Sequence, residues 1–205
     1  MKIIVQKFGG TSVACEESRV AVKDKVQQAI RKGFSPVVVV SAMGRKGAPY
    51  ATDTLIGVLK EANLSVNVRE MDAMMCCGEI ISACVMAATL QKFGINAMAL
   101  TGGQAGIITD SQFGAARIKN INCSNLMHLL ESGIVPVVCG FQGMTENNLK
   151  FTTLGRGGSD TSAAALGAAL KADFVEIYTD VEGIMTADPR IVKEANILQT
   201  ISYAE

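Results

Sequence analysis

KIIVQKFGGTS, Lys2–Ser12, decides how the rest of the chain is read. Its β-branched apolar run is strand-length and lacks a wet alternate face, so it reads as a strand buried on both sides. At its end Lys7 stands beside Gly9 and Gly10. Bare backbone amides with an ammonium beside them suit a phosphate: glycines allow close approach, and the lysine supplies positive charge. The competing reading is a lysine whose stem lies on the surface with its head in water.

Working outward, SPVVVVS (35–41), INAMALT (95–101), VPVVCGF (135–141) and FVEIYT (174–179) read as four further strands. Helical spacing separates them. Val22, Val26, Ala29 and Ile30 fall on one face, and Gly33 supplies a stop. Thr52 is read as the cap of a short helix holding Leu55, Ile56 and Leu59. A longer helical region runs from about Val68 to Phe93, broken or bent near Gly78, and stops at Gly94. SNLMHLLESG (124–133) is another helix, an alanine-rich one follows Ser159, and residues 108–122 suggest an irregular edge hairpin. Alternation of strand and helix predicts an α/β fold with a mostly parallel sheet covered on both faces. No repeat, low-complexity linker or internal boundary is visible, and 205 residues suit one sizeable domain.

In such folds ligands gather at the carboxyl ends of the strands. KFGGTS, SAMGRKG, TGGQAG, GFQG and TDVEG follow the five strands in turn. Any one could be a plain turn; five on one rim describe a site. TTLGRGGSDTSAAALGAAL (152–170) adds a helix start, where Ser159 reads as an N-cap, the first amides attract an anion and Arg156 can grip a carboxylate or phosphate with two bonds. Asp160 would repel that anion unless it faces a lysine or a magnesium ion; otherwise it simply favours the first helical turn. TDVEGIMTADPR (179–190) brings Asp180, Asp188 and Arg190 to the end of the fifth strand, a nucleotide contact or an ordinary surface turn.

Formal net charge is zero and the pI is near 6.6, which argues against a broad nucleic-acid or anionic-membrane surface. The start has no secretory h-region, and no apolar run is expected to approach the ~20 residues of a membrane span. Six cysteines form no C-x-x-C pair and His128 is the sole histidine, which argues against zinc. The cysteines read as small buried hydrophobes in a reducing cytoplasm. There is no G-x-x-x-x-G-K-[ST] loop, and GRGGSD lacks the last glycine of G-x-G-x-x-G.

KFGGTS, VVVVSAMG, CCGE, GRGGSDTSA and TDVEGIMTADPR occur in the order and setting of aspartokinases, members of the amino acid kinase superfamily, which the whole chain resembles. The resemblance implies a three-layer αβα sandwich. It implies transfer of the ATP γ-phosphoryl group, with Mg²⁺, to the β-carboxylate of L-aspartate, giving 4-phospho-L-aspartate. That reaction opens the route to lysine, threonine and methionine, and to diaminopimelate in bacteria. By position, Lys7, Gly9 and Gly10 resemble residues at the transferring phosphates, and Ser41 a serine of the same cleft. Thr52 and Glu79 resemble an aspartate-binding pair, Glu79 suiting the ammonium; Arg156 and Ser159 resemble the residues that grip the carboxylate. Asp160 matches an acid that orients the catalytic lysine, with no residue assigned as a direct metal ligand. Thr179, Asp180, Met185 and Arg190 fall at nucleotide contacts, Met185 where many relatives carry an aromatic residue. Family chains continue past ISYAE into the rest of the kinase domain and regulatory ACT domains. The expectation is therefore a catalytic domain incomplete at its C-terminus, a homo-oligomer through an open sheet edge, with little activity of its own. The alternatives are another amino acid kinase, acting on glutamate, acetylglutamate, carbamate or UMP, and a non-catalytic binding module.

Overall fold

The computed structural model describes residues 1–147, 149–179, 183, 185–188 and 191–202. Strand β1 (Lys2–Phe8) leads through a 3-10 turn (Gly10–Val13) to α1 (Glu16–Arg31) and β2 (Phe34–Val40). Helices α2 (Thr52–Ala62) and α3 (Val68–Lys92) precede β3 (Ala97–Leu100), β4 (Ile107–Thr109) and β5 (Ile118–Ile121). Then come α4 (Ser124–Glu131), β6 (Val135–Cys139), β7 (Gln142–Thr145), β8 (Phe151–Thr153), α5 (Gly158–Leu170) and β9 (Phe174–Tyr178).

The main sheet has the order β3-β6-β2-β1-β9, every pair parallel. Its two faces are sorted by the alternation of β1 and β2. Phe8, Val38 and Val40 pack with Val22 and Val26 of α1 and Met86 and Leu90 of α3. Val5, Val37 and Val39 pack on the other side with Leu126 and Leu129 of α4 and Leu166 and Leu170 of α5. Each such side chain contributes roughly 1.5–3 kcal/mol by leaving water, so the four consecutive valines of β2 fix the centre of the sheet. The result is the expected α/β three-layer αβα sandwich.

A second, four-stranded sheet, β5-β4-β7-β8, joins the rim of the first. Its β4–β5 pair is the irregular hairpin expected from residues 108–122, with a bulge between Ile108 and Thr109. The rest was not expected. GFQG is no terminal loop: its Gln142 and Gly143 open β7, which pairs antiparallel with β8.

Four local expectations are corrected. Of the six cysteines expected to be buried, only Cys76 and Cys139 are; Cys15, Cys77 and Cys84 are exposed and Cys123 is half-buried. α3 runs unbroken through Gly78, which is buried and packs against the chain at Ala42, Tyr50 and Leu55. The glycine serves close approach, not a break. Thr52 is the first residue of α2 rather than its cap; Ala51 holds the cap position. Ser159 lies inside α5, whose cap is Gly157, left-handed at φ 74.

α3 is also long and apolar enough to cross a membrane by length and composition, with a mean hydropathy of 1.8 over its most apolar window. Asp72 and Glu79 interrupt the run in the sequence and hide this. Here α3 packs across the main sheet and onto β8, with both acids buried.

β9 forms one edge of the main sheet, and Phe174, Val175 and Ile177 on it are exposed.

Candidate active site

Loops at the carboxyl ends of β1 and β2 are sewn together. The Ser41 N–H donates to the Phe8 carbonyl at 3.3 Å, and the Gly44 N–H to the Gly10 carbonyl at 3.0 Å. A Cβ on Gly10 would sit 2.4 Å from the Ala42 carbonyl oxygen, so only glycine lets the loops close. The Ser41 hydroxyl donates to the Ser159 hydroxyl at 3.0 Å, joining this rim to α5.

These contacts frame an open cleft of about 670 Å³. Lys7, Gly10, Ser41, Thr52, Glu79, Arg156, Ser159 and Asp160 all line it, though they come from five separate stretches of chain. A smaller recess of about 290 Å³ adjoins it, lined by Gly9, Thr11, Arg45 and Thr179 and sharing Lys7, Gly10, Ser41 and Gly44. Ten of the residues singled out in the sequence thus meet in two connected spaces. Met185 lines neither; it pairs with Ile197 in an isolated antiparallel bridge. Asp180 and Arg190 lie outside the described residues.

Lys7 marks the junction of the two spaces. Its ammonium lies 2.6 Å from Asp160 Oδ1, with the lysine side chain 10% and the aspartate 48% exposed. Of the two readings of Asp160, facing a cation is the one observed, and the first helical turn supplies its position. The pair is held from both sides, by β1 between β2 and β9 and by the helix α5.

Glu79 lines the same cleft and is 3% exposed. Its Oε1 accepts the Ala42 N–H at 3.2 Å, whereas Oε2 is buried and has no hydrogen-bond partner among the described residues. Burial pushes its pKa up to about 7, against the smaller opposing pull of the backbone hydrogen bond. Such an oxygen calls for a donor, and a cation would satisfy it best. Arg156, exposed and without an ion pair among the described residues, projects from the turn between β8 and α5.

Sequence reasoning missed several wall residues. Met75 precedes Glu79 by one helical turn, a spacing that could have found it. Gly114 and Thr153 come from the small sheet and carry no local signal. Phe141 also lines the cleft, at φ 67, a left-handed conformation uncommon for a side-chain-bearing residue.

The chain is 51% identical to aspartokinase 1 of Bacillus subtilis over its whole length, which is 50% of that protein. It spans about half the length of the curated relatives it matches. Among solved structures, the aspartate kinase of Synechocystis aligns with a TM-score of 0.76 at 46% identity, over 94% of this chain and 31% of that one. E. coli aspartokinase III, solved with aspartate and ADP, aligns with a TM-score of 0.80 at 28% identity, over 96% and 53%. The sequence profile of the amino acid kinase family matches residues 2–205, and the chain belongs to that family.

Proposed function

We propose that this chain carries the catalytic cleft of an aspartate kinase, which moves the γ-phosphoryl group of ATP to the β-carboxylate of L-aspartate. One observation carries the reading. A buried carboxylate oxygen (Glu79) and a guanidinium (Arg156), neither with a partner among the described residues, line the same cleft as a lysine poised at a glycine-rich turn. The first two match the ammonium and carboxylate of an amino acid; the third matches a phosphate. The similarity to aspartokinases over the whole chain supports the choice of acceptor.

In this reading nucleotide phosphates lie along Gly9, Gly10 and the recess reaching Thr179, and Thr52, Ser159 and Arg156 orient the acceptor. Asp180, Met185 and Arg190 remain candidates for the nucleoside side. A carboxylate acceptor is ionised at neutral pH, its pKa being near ~4, so the lack of a nearby histidine base is no obstacle. The work left to the protein is alignment and neutralisation of charge as the phosphoryl group moves. Lys7 supplies charge at the transferring group, and Asp160 keeps its ammonium aimed there. Mg²⁺ would be carried mainly by the phosphates, with no residue of this chain proposed as a direct ligand. An ion held there would supply further positive charge to the phosphates.

We further propose a cytoplasmic homo-oligomer, in which the apolar β9 edge is covered. Residues 1–205 are, in this reading, part of a larger kinase domain.

The test is ADP release from ATP by the full-length polypeptide, with aspartate, glutamate, N-acetylglutamate, carbamate and UMP as acceptors, and hydroxylamine trapping of the acyl phosphate. Aspartate-dependent release with a trapped acyl phosphate is expected. Preference for an acceptor lacking an ammonium would move the chain elsewhere in the family, and tight binding without turnover would make it a binding module.

A further inference from the structure

Asp72, Met75 and Glu79 fall on one face of α3. The latter two line the cleft; Asp72 does not, and it is fully buried. Its Oδ2 accepts the N–H of Gly114 at 2.9 Å and that of Thr153 at 3.0 Å. Its Oδ1 accepts the Thr153 hydroxyl at 2.9 Å. Gly114 belongs to the β4–β5 connection and Thr153 ends β8, three positions before Arg156. Both line the cleft, and the Ala116 N–H donates to the Thr153 carbonyl at 2.8 Å, joining the two segments.

We propose that Asp72 is a positioning residue that clamps these two walls to the helix bearing Glu79, and so sets the span between Glu79 and Arg156. The proposal rests on the reading that those two groups grip the acceptor amino acid. No ion pair to Asp72 exists among the described residues, so its three donors are what make a buried carboxylate tolerable there. A zwitterion a few ångströms long is gripped only if its two receptors stand at the right separation, and among the described residues no other hydrogen bond ties the segment 151–156 to α3. The small sheet stays attached without Asp72, because the Gln142 side-chain amide also donates to the Cys76 carbonyl, at 3.2 Å. Removing Asp72 should therefore loosen the wall and leave the fold standing.

The test uses full-length Asp72→Ala and Asp72→Asn with two readouts: steady-state kinetics, and hydrogen exchange of peptides covering 111–117 and 151–158. Losing bonds to a charged acceptor should raise KM for aspartate about tenfold or more, with KM for ATP within about twofold. Exchange of the two peptides should quicken by about tenfold, with β1 and β2 unchanged. The Asn oxygen can accept both N–H groups and its amide can donate to the Thr153 hydroxyl, so Asp72→Asn should restore both readouts to within about threefold. Unchanged exchange at the two peptides, faster exchange throughout the sheet, or equal rises in both KM values would overturn the proposal. If the parent protein shows no aspartate turnover, the functional reading fails, while exchange still decides the clamp. Should Asp72→Ala not fold, Thr153→Val is read instead by exchange; it deletes the hydroxyl bond alone, and an unchanged rate over 151–158 would overturn the clamp.

Discussion

The two ends of the cleft handle charge in opposite ways. At the Lys7 end the charge is already paired, 2.6 Å from a half-exposed aspartate, and the surroundings are backbone amides of glycine-rich turns. At the Glu79 end a carboxylate is buried with one oxygen unpartnered and its pKa raised to about 7. The first arrangement suits a charge that must be present and aimed whatever is bound. The second suits a charge that the ligand itself completes: free Glu79 is costly, and an arriving ammonium removes the cost. The two arrangements are built by different elements, β1 with α5 for the Lys7–Asp160 pair and α3 with the loop after β2 for Glu79.

The largest effect should come from the pre-paired end. Lys7→Ala should lower kcat on the order of 10²–10³, the usual loss for one donor that acts on transition-state charge. KM for aspartate should stay within about threefold, because in the proposed reading Lys7 serves the transferring phosphate and not the ammonium or carboxylate of the amino acid. A variant turning over near the parental rate would dissolve the distinction between the two ends.

Glu79→Ala tests the other end. A buried bond to an ammonium contributes roughly 1.5–3 kcal/mol, so KM for aspartate should rise about 10- to 100-fold while KM for ATP barely moves. If the ATP constant rises instead, Glu79 serves the nucleotide side.

How far each end could be read from sequence follows the same division. The Lys7 end is local: KFGG and GRGGSD announce a cation, bare amides and a helix start within a few residues each. The parallel sheet was equally legible, because strands buried on both faces leave unbroken apolar runs such as VVVV. The small sheet was not. Gln142, Thr152 and Thr153 are buried yet polar, and their partners lie far off in the chain: Thr152 with Thr109, Thr153 with Asp72, Gln142 with Cys76. A polar side chain buried by long-range hydrogen bonds looks, in sequence, like one facing water. Gly78 misled for a related reason, since a glycine that admits a neighbouring helix has the same letter as one that breaks its own.

A smaller effect should appear with pH. Below about pH 7 Glu79 is mostly protonated in the free protein and cannot hold an ammonium as an ion pair. KM for aspartate should therefore rise about tenfold between pH 8 and pH 6, and this rise should be absent in Glu79→Gln. Folding stability should move the other way. The folded chain holds the Glu79 proton more tightly than the unfolded chain between pH 4.5 and about 7. Ligand-free stability from this group is thus greatest at low pH and falls as pH rises through that window, by on the order of 2–3 kcal/mol. The difference in Tm between the parent and Glu79→Gln, followed from pH 5 to pH 8, isolates it. A difference that does not change with pH would mean that Glu79 is not desolvated.

The smallest effect concerns how tightly the Glu79 end is built, and two glycines separate the contributing terms. Both Gly57 in α2 and Gly78 in α3 are helical, and replacing either by alanine gains roughly 0.8–1 kcal/mol of helix propensity. A Cβ on Gly57 meets nothing within 4 Å, so Gly57→Ala should raise Tm. A Cβ on Gly78 would lie 3.0 Å from the Ala42 Cβ, 3.1 Å from the Leu55 Cδ1 and 3.1 Å from the Tyr50 carbonyl oxygen. Leu55 can rotate away, but Ala42 and the Tyr50 carbonyl cannot without moving backbone, and such overpacking costs about 1–3 kcal/mol. Gly78→Ala should therefore be net destabilising by about 1 kcal/mol, a fall in Tm of roughly 2–4 °C for a chain of this size. Ala42 is also the residue whose N–H holds Glu79, so pushing it outward should weaken that bond. KM for aspartate should rise about twofold in Gly78→Ala and stay at the parental value in Gly57→Ala. Equal stabilisation by both substitutions would show that α3 can shift away from the Ala42 loop, and with it that the Glu79 end is looser than the Lys7 end rather than more tightly built.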